Sequence, residues 1–120
     1  MKMLKLANYL LIALLLLCCT TIASLPEEPE PPIIQTLESL AKYEAQLSDY
    51  VMYLITFLNK TKSKVNDPNY PIYTYPDLAT LKNEHSITSV KLNIKLLLEY
   101  IKKTKPIAKR VYNQYSNLKM

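Results

Sequence analysis

The chain has 120 residues, with fifteen lysines and arginines against ten aspartates and glutamates, and a formal net charge of +5. It contains no glycine, which excludes glycine-based phosphate loops, dinucleotide-binding fingerprints and the nucleophile elbow of hydrolases. Its two cysteines lie in a segment that we expect to be removed, so the one histidine, His85, has no cysteine partner for catalysis or zinc binding. We predict a non-enzymatic protein without cofactor or metal.

Residues 1–23 have the pattern of a cleavable signal peptide. Two lysines precede an almost unbroken apolar run at residues 10–17. Small side chains follow, so we expect the cut after Ala23, with Ser24 as the second choice. Both cysteines leave with this segment, and the remaining chain is predicted to be secreted as one extracellular domain without disulfides.

The same segment allows two alternatives. The uncharged stretch over residues 6–26 is just long enough to span a bilayer as an uncleaved anchor. A lipoprotein cleavage site before Cys18 is the other alternative. Bulky Leu17 stands immediately before that cysteine, where a small residue is expected, and helix-breaking Pro26 ends the apolar segment, so cleavage near Ala23 is preferred.

Residues 24–32 follow as an acidic, proline-rich leader. The sequence LPEEPEPP holds four prolines and three glutamates in eight residues. This composition favours an extended, solvated backbone without a fold of its own. The folded domain is therefore predicted to begin at residue 33.

The first predicted helix covers about residues 33–58. Apolar side chains recur there at spacings of three and four, which is typical of an amphipathic helix and suits a supercoiled seam. Glu44 is the one polar residue in this apolar stripe. The stripe residues that we expect to pack or to form an interface are Leu37, Leu40, Leu47, Val51 and Leu54.

The second predicted helix covers about residues 78–104 and carries His85 as a partly exposed residue. Pro106 should interrupt this helix, because proline removes a helical hydrogen bond and disfavours helical angles in the residue before it. A short third helix is predicted at about residues 107–118. The expected packing residues of the second helix are Ile87, Val90, Ile94, Leu97 and Ile101.

A connector rich in proline and tyrosine separates the two long helices. Its three prolines lie among asparagines and aspartates that favour turns. Tyr70, Tyr73 and Tyr75 form a candidate recognition surface, since tyrosine offers a large contact area at low entropic cost. Packing of the same rings on the helices is the alternative, and it is slightly preferred.

These elements predict an all-α fold over residues 33–120, either an antiparallel helical hairpin or a small three-helix bundle. Residues 24–59 carry six acidic residues against one lysine, whereas residues 60–120 carry twelve basic residues against four acidic ones. The split favours attraction between two antiparallel halves; a basic surface for an acidic partner or a lipid headgroup is the alternative. A homodimer would cover apolar surface that two helices leave open.

Two short motifs suggest processing or modification. Asn59 begins an N-glycosylation sequon at the predicted end of the first helix. Lys109 and Arg110 form either a dibasic cleavage site that releases residues 111–120 or, preferably, a basic last helical turn that faces water. Lysines also flank the apolar face of the second helix, as in proteins that bind membrane surfaces, whereas nucleic-acid binding is not expected.

The overall layout resembles that of small secreted insect proteins. A signal peptide, the leader LPEEPEPP, cysteine-free helices and a single sequon together are similar to seminal-fluid proteins, above all the Drosophila accessory-gland peptide family. The resemblance implies a non-enzymatic protein passed to the female at mating. Through a protein receptor or partner it would act on sperm storage, sperm competition or female reproductive physiology.

Overall fold

The computed structural model describes residues 25–116; the predicted signal peptide and its alternatives lie outside the described residues. Two helices, α1 (Leu37–Val65) and α2 (Ile87–Tyr115), have 29 residues each and are about 43 Å long. A single 3-10 turn, Leu78–Thr80, lies between them. The described chain contains no strand, so the predicted all-α class with a proline- and tyrosine-rich connector is confirmed.

Helix α1 begins later than predicted and also ends later. The Thr36 hydroxyl accepts the Ser39 amide at 3.1 Å, while the Ser39 hydroxyl accepts the Thr36 amide at 3.0 Å. This reciprocal capping box fixes the start of the helix and leaves Ile33 outside it, fully exposed. At the other end Asn66 adopts a left-handed conformation (φ 47°), which asparagine tolerates and which ends the helix after Val65.

Helix α2 begins at Ile87, because the Ser86 side chain caps it by accepting the Ser89 amide at 3.2 Å. Residues 78–86, predicted to be helical, belong to the connector apart from the short 3-10 turn. His85 therefore lies exposed in the connector rather than on a helix.

Helix α2 continues through Pro106, so the predicted break and the separate third helix are wrong. Pro106 and Lys102 are both exposed, and water can therefore reach the carbonyl that the proline leaves without an amide partner. Ile101 on one side and Ala108 on the other are buried in the same core. Packing on both sides of the proline thus maintains the helix.

The two helices pack side by side, as predicted for a helical hairpin, but they run in the same direction. Toward their N-termini, the Asn93 side-chain amide donates to Glu44 Oε1 at 2.6 Å. At their C-terminal ends, the Tyr115 hydroxyl donates to Asp67 Oδ2 at 2.6 Å. An antiparallel pair of straight helices cannot make both contacts, because one contact would place the other two residues at opposite ends. The predicted antiparallel direction is therefore corrected to a parallel one.

The parallel direction is possible because the connector is long. Residues 66–86 can span about 70 Å when extended, more than the length of α1. On its return the connector is held by the Tyr70 hydroxyl, which donates to the Leu58 carbonyl at 2.8 Å. Further along, the Tyr100 hydroxyl donates to the Thr74 carbonyl at 2.7 Å. The connector thereby covers one flank of the helix pair.

The core lies between the helices and under the connector. Leu47 and Leu54 are completely buried, and Leu37 near the start of α1 is half-buried. Ile87, which was expected to pack, is 45% exposed because it is the first residue of α2. The other predicted packing residues are all buried: Leu40, Val51, Val90, Ile94, Leu97 and Ile101.

Candidate functional site

The N-terminal leader packs against the helices. Leu25 contacts the core, and the Glu28 carboxylate accepts from Lys105 Nζ at 3.3 Å, with each side chain 31% exposed. Burial, and second the negative charge of Glu28, raise the pKa of the Tyr43 and Tyr50 hydroxyls. The leader thus has no helix or strand, as predicted, and part of it remains exposed, but Leu25 and Glu28 dock it on the helices.

The leader runs back along the helix pair from one end to the other. It leaves Thr36 at the start of α1, and its other end, at Leu25, borders a groove formed with Lys109 and Tyr112 near the end of α2. Tyr50 of α1 completes the wall of this groove. Leu25, the first described residue, therefore lies toward the C-terminal ends of both helices.

Basic side chains cluster at that end of the molecule. Five exposed cationic side chains lie within the last few turns of the two parallel helices: Lys60, Lys62 and Lys64 of α1, and Lys109 and Arg110 of α2. We call these five residues the basic end. Asp67, nearby, is engaged by the Tyr115 hydroxyl, and Glu27 of the leader is exposed. Lys109 and Arg110 thus form part of a charged helix end, and their proteolytic cleavage stays a prediction.

Most tyrosines of the connector pack against other side chains of the domain. Tyr70 is 8% exposed, and its ring meets Tyr73 edge-on with centroids 6.3 Å apart and Tyr115 at 5.8 Å. Burial raises the pKa of the Tyr70 and Tyr73 hydroxyls. Tyr75 alone is largely exposed. The three residues of the candidate recognition surface therefore divide into two packing rings and one surface ring.

Asn59, the predicted glycosylation site, lies inside α1 rather than at its end. Its side-chain oxygen accepts hydrogen bonds from the hydroxyls of Tyr73 and Tyr75, the latter at 3.1 Å. Thr61, which completes the sequon, is 3% exposed. The structure therefore uses both polar residues of the sequon for packing.

A buried polar contact joins α1, α2 and the connector. Asn93 is 1% exposed; its Oδ1 accepts the Lys82 amide at 2.7 Å, and its Nδ2 donates to the Lys82 carbonyl at 2.8 Å and to Glu44. Sequence reasoning identified Glu44 as a polar residue in an apolar stripe but missed Asn93. The signal was available, because Asn93 falls between Val90 and Ile94 in the second stripe. One polar residue in each of two facing apolar stripes indicates a hydrogen bond between the two.

The ion pair that docks the leader had no detectable signal in the sequence. Glu28 and Lys105 are far apart in the chain, and neither stands out from its neighbours. Within residues 25–116, no group of three or more histidine, cysteine, aspartate or glutamate side chains is arranged to hold a metal ion. In the same range, neither helix combines the length and the apolar character needed to cross a membrane.

The described residues thus define a small all-α protein in which a parallel helix pair is flanked by a returning connector and a docked leader. The sequence pattern of the Borrelia orf-D family matches residues 24–117, and the chain belongs to this family. It is also similar to an outer membrane lipoprotein of Borreliella burgdorferi (strain B31). The two are 52% identical over 108 residues, which cover 90% of this chain and 89% of the relative.

These matches overturn the resemblance to insect proteins. The family and the relative are bacterial, so the predicted accessory-gland origin, the seminal-fluid function and the role in reproduction are wrong. The prediction of a glycoprotein is wrong for the same reason, and the packing of Asn59 agrees with this correction. The predicted localisation holds only in the coarse sense of a protein exported from the cytoplasm.

Proposed function

We propose that this chain is a lipid-anchored protein of the bacterial cell surface that acts by binding rather than by catalysis. The observation that carries the proposal is the 52% identity with an outer membrane lipoprotein along nearly the whole of both chains. The membrane-surface alternative of the sequence interpretation thus fits better than a freely secreted protein.

The anchor is assigned to Cys19. A bacterial lipoprotein carries its lipid on a cysteine thiol, and the only cysteines in the sequence are Cys18 and Cys19. Leu17 before Cys18 is too large for efficient processing, but the residue before Cys19 is Cys18, whose side chain is small. The objection to a lipoprotein site therefore applies to the first cysteine and not to the second.

A lipid also explains membrane attachment better than an amphipathic helix does. An interfacial helix needs a free apolar face, but Val90, Leu97 and Ile101 of α2 are buried against the rest of the domain. Opening the helix pair would expose this core to water. Two or more acyl chains on one residue, by contrast, give stable anchoring without any change in the fold.

Binding is proposed as the mode of action because three carboxylates that contact other elements of the domain serve the fold. Glu44 contacts Asn93, Asp67 contacts Tyr115, and Glu28 pairs with Lys105. The partner is proposed to be a protein or a membrane surface outside the cell.

The test compares Cys19→Ser with the matched variant Cys18→Ser in a bacterial host that acylates lipoproteins. Detergent phase partitioning and fractionation should place the unaltered chain and Cys18→Ser in the detergent and membrane fractions. Cys19→Ser should appear in the aqueous fraction, because it lacks the acylated thiol. Loss of membrane attachment in Cys18→Ser alone would move the anchor to Cys18, and attachment of the double variant would overturn lipid anchoring.

A further inference from the structure

We propose that the basic end docks on anionic lipid headgroups, so that the protein stands with the C-terminal ends of both helices against the membrane. The inference rests on the proposed lipid anchor, but it concerns a different feature, namely the orientation of the domain and the lipid chemistry that it recognises.

The parallel direction of the helices creates the basic end. The hydrogen bond between Tyr115 and Asp67 brings the end of α2 beside the end of α1. Lys62 and Lys64 therefore lie at the same end of the molecule as Lys109 and Arg110. In an antiparallel hairpin the two pairs would be at opposite ends, and neither end would carry this concentration of positive charge.

The leader brings the anchor to the same end. Leu25 lines the groove together with Lys109 and Tyr112, and the ion pair between Glu28 and Lys105 holds the leader in place. Cys19 precedes Leu25 by six residues, which span at most about 20 Å. A lipid on Cys19 would therefore hold the bilayer close to the basic end and not to the other end.

The opposite end is distinct in chemistry and far from the anchor. It carries the N-termini of both helices, with Ile33, Ile34 and Ile87 exposed, about 40 Å away along the helix axes. That distance is several times the screening length of about 8 Å at physiological ionic strength. Electrostatic attraction to an anionic bilayer therefore acts on the basic end alone and favours an upright orientation.

Acidic residues near the docking surface do not cancel its charge. Glu28 is paired with Lys105, whereas Asp67 keeps its negative charge while it accepts the Tyr115 hydroxyl, and the exposed Glu27 carries another; the five cations of the basic end still exceed these two acids by three. Each basic side chain close to an anionic bilayer favours docking by about fivefold. Phosphate-bearing headgroups with a net negative charge are the chemical class that this surface fits.

The experiment uses the full lipidated protein in vesicles of phosphatidylcholine with or without phosphatidylglycerol. A fluorophore is attached to one introduced cysteine, either Ser63→Cys at the basic end or Gln35→Cys at the opposite end. A quencher sits at headgroup depth. With phosphatidylglycerol, the label at position 63 should be quenched strongly and the label at position 35 weakly. High salt or neutral vesicles should reduce the difference.

A charge variant and its control complete the test. Lys62→Gln with Lys64→Gln should shift the docking equilibrium by about 25-fold toward the undocked state, whereas Lys91→Gln with Lys95→Gln on exposed positions of α2 should leave it unchanged. Equal quenching at both positions, or equal effects of the two double variants, would overturn the proposal. Detergent partitioning shows independently whether the chain carries a lipid. A chain without lipid contradicts the proposed function, whereas a lipidated chain that does not dock in this orientation contradicts only this inference.

Discussion

The side chain of Asn93 on α2 donates a hydrogen bond of 2.6 Å to the Glu44 carboxylate on α1, in a position where Asn93 is 1% exposed. Because the same amide group also binds both backbone groups of Lys82, one buried side chain fixes the two helices and the connector relative to one another. Buried polar groups of this kind stabilise a fold only when every partner is present.

Asn93→Ala should therefore destabilise the protein. The substitution leaves Glu44 and the Lys82 backbone without their partner, and an unsatisfied buried polar group costs about 1–3 kcal/mol. Urea denaturation curves measure the resulting change in the free energy of unfolding. Asn83→Ala, at an exposed position of the connector, should change it by less than about 0.5 kcal/mol. Equal effects of the two substitutions would show that the buried contact does not hold the elements together.

The parallel direction of the helices can be measured as a pair of distances between spin labels. With the native cysteines replaced by serine, labels at Ser63 and Gln114 should lie within about 20 Å, because both positions are at the C-terminal ends. Labels at Gln35 and Gln114 should be about 40 Å apart. An antiparallel hairpin would reverse the order of the two distances.

Pro106→Ala should stabilise the protein. If α2 is one helix, alanine restores the amide that proline lacks and removes the steric clash with the preceding turn. Part of the gain is lost because proline also restricts the unfolded chain, so we expect about 1–2 kcal/mol in thermal or urea unfolding. Unchanged or lower stability would indicate that the chain needs a break at this position.

Acid should weaken the contact between the helix ends. The Tyr115 hydroxyl and, second, the Asn69 amide donate to Asp67 and lower the pKa of its carboxyl group. A group whose pKa is lower in the folded state stabilises the protein above its unfolded pKa, and this contribution is lost as the pH falls below about 4. Tyr115→Phe should reduce this acid-dependent loss in a pH series of unfolding curves, whereas Tyr112→Phe should not.

The sequence predicts those parts of the fold that depend on local periodicity. Residues such as Leu47 and Ile101 were expected in the core because they follow the helical repeat, and they are buried. The direction of α2 could not be predicted in this way, since an apolar stripe packs equally well in either direction. The start of α1 depends on the capping contacts of Thr36 and Ser39, which lie inside the predicted helix.

The site was less predictable for a physical reason. The groove includes a contact between Glu28 and Lys105. Because these two residues are far apart in the sequence, no helical repeat relates them. The anchor depends on which of two adjacent cysteines is processed, and bulky Leu17 argues only against Cys18. A lipoprotein site was therefore only an alternative to the preferred prediction of a freely secreted protein.

The mass of the native chain purified from bacterial membranes tests lipid anchoring most directly. Lipid anchoring at Cys19 predicts a polypeptide that begins at Cys19 and carries the added mass of acyl chains on that residue, with residues 1–18 removed. Fragment masses place the modification on the first residue. A native chain that begins at Ser24 or Leu25 with an unmodified mass would rule out lipid anchoring, because such a chain contains no thiol on which a lipid could be held.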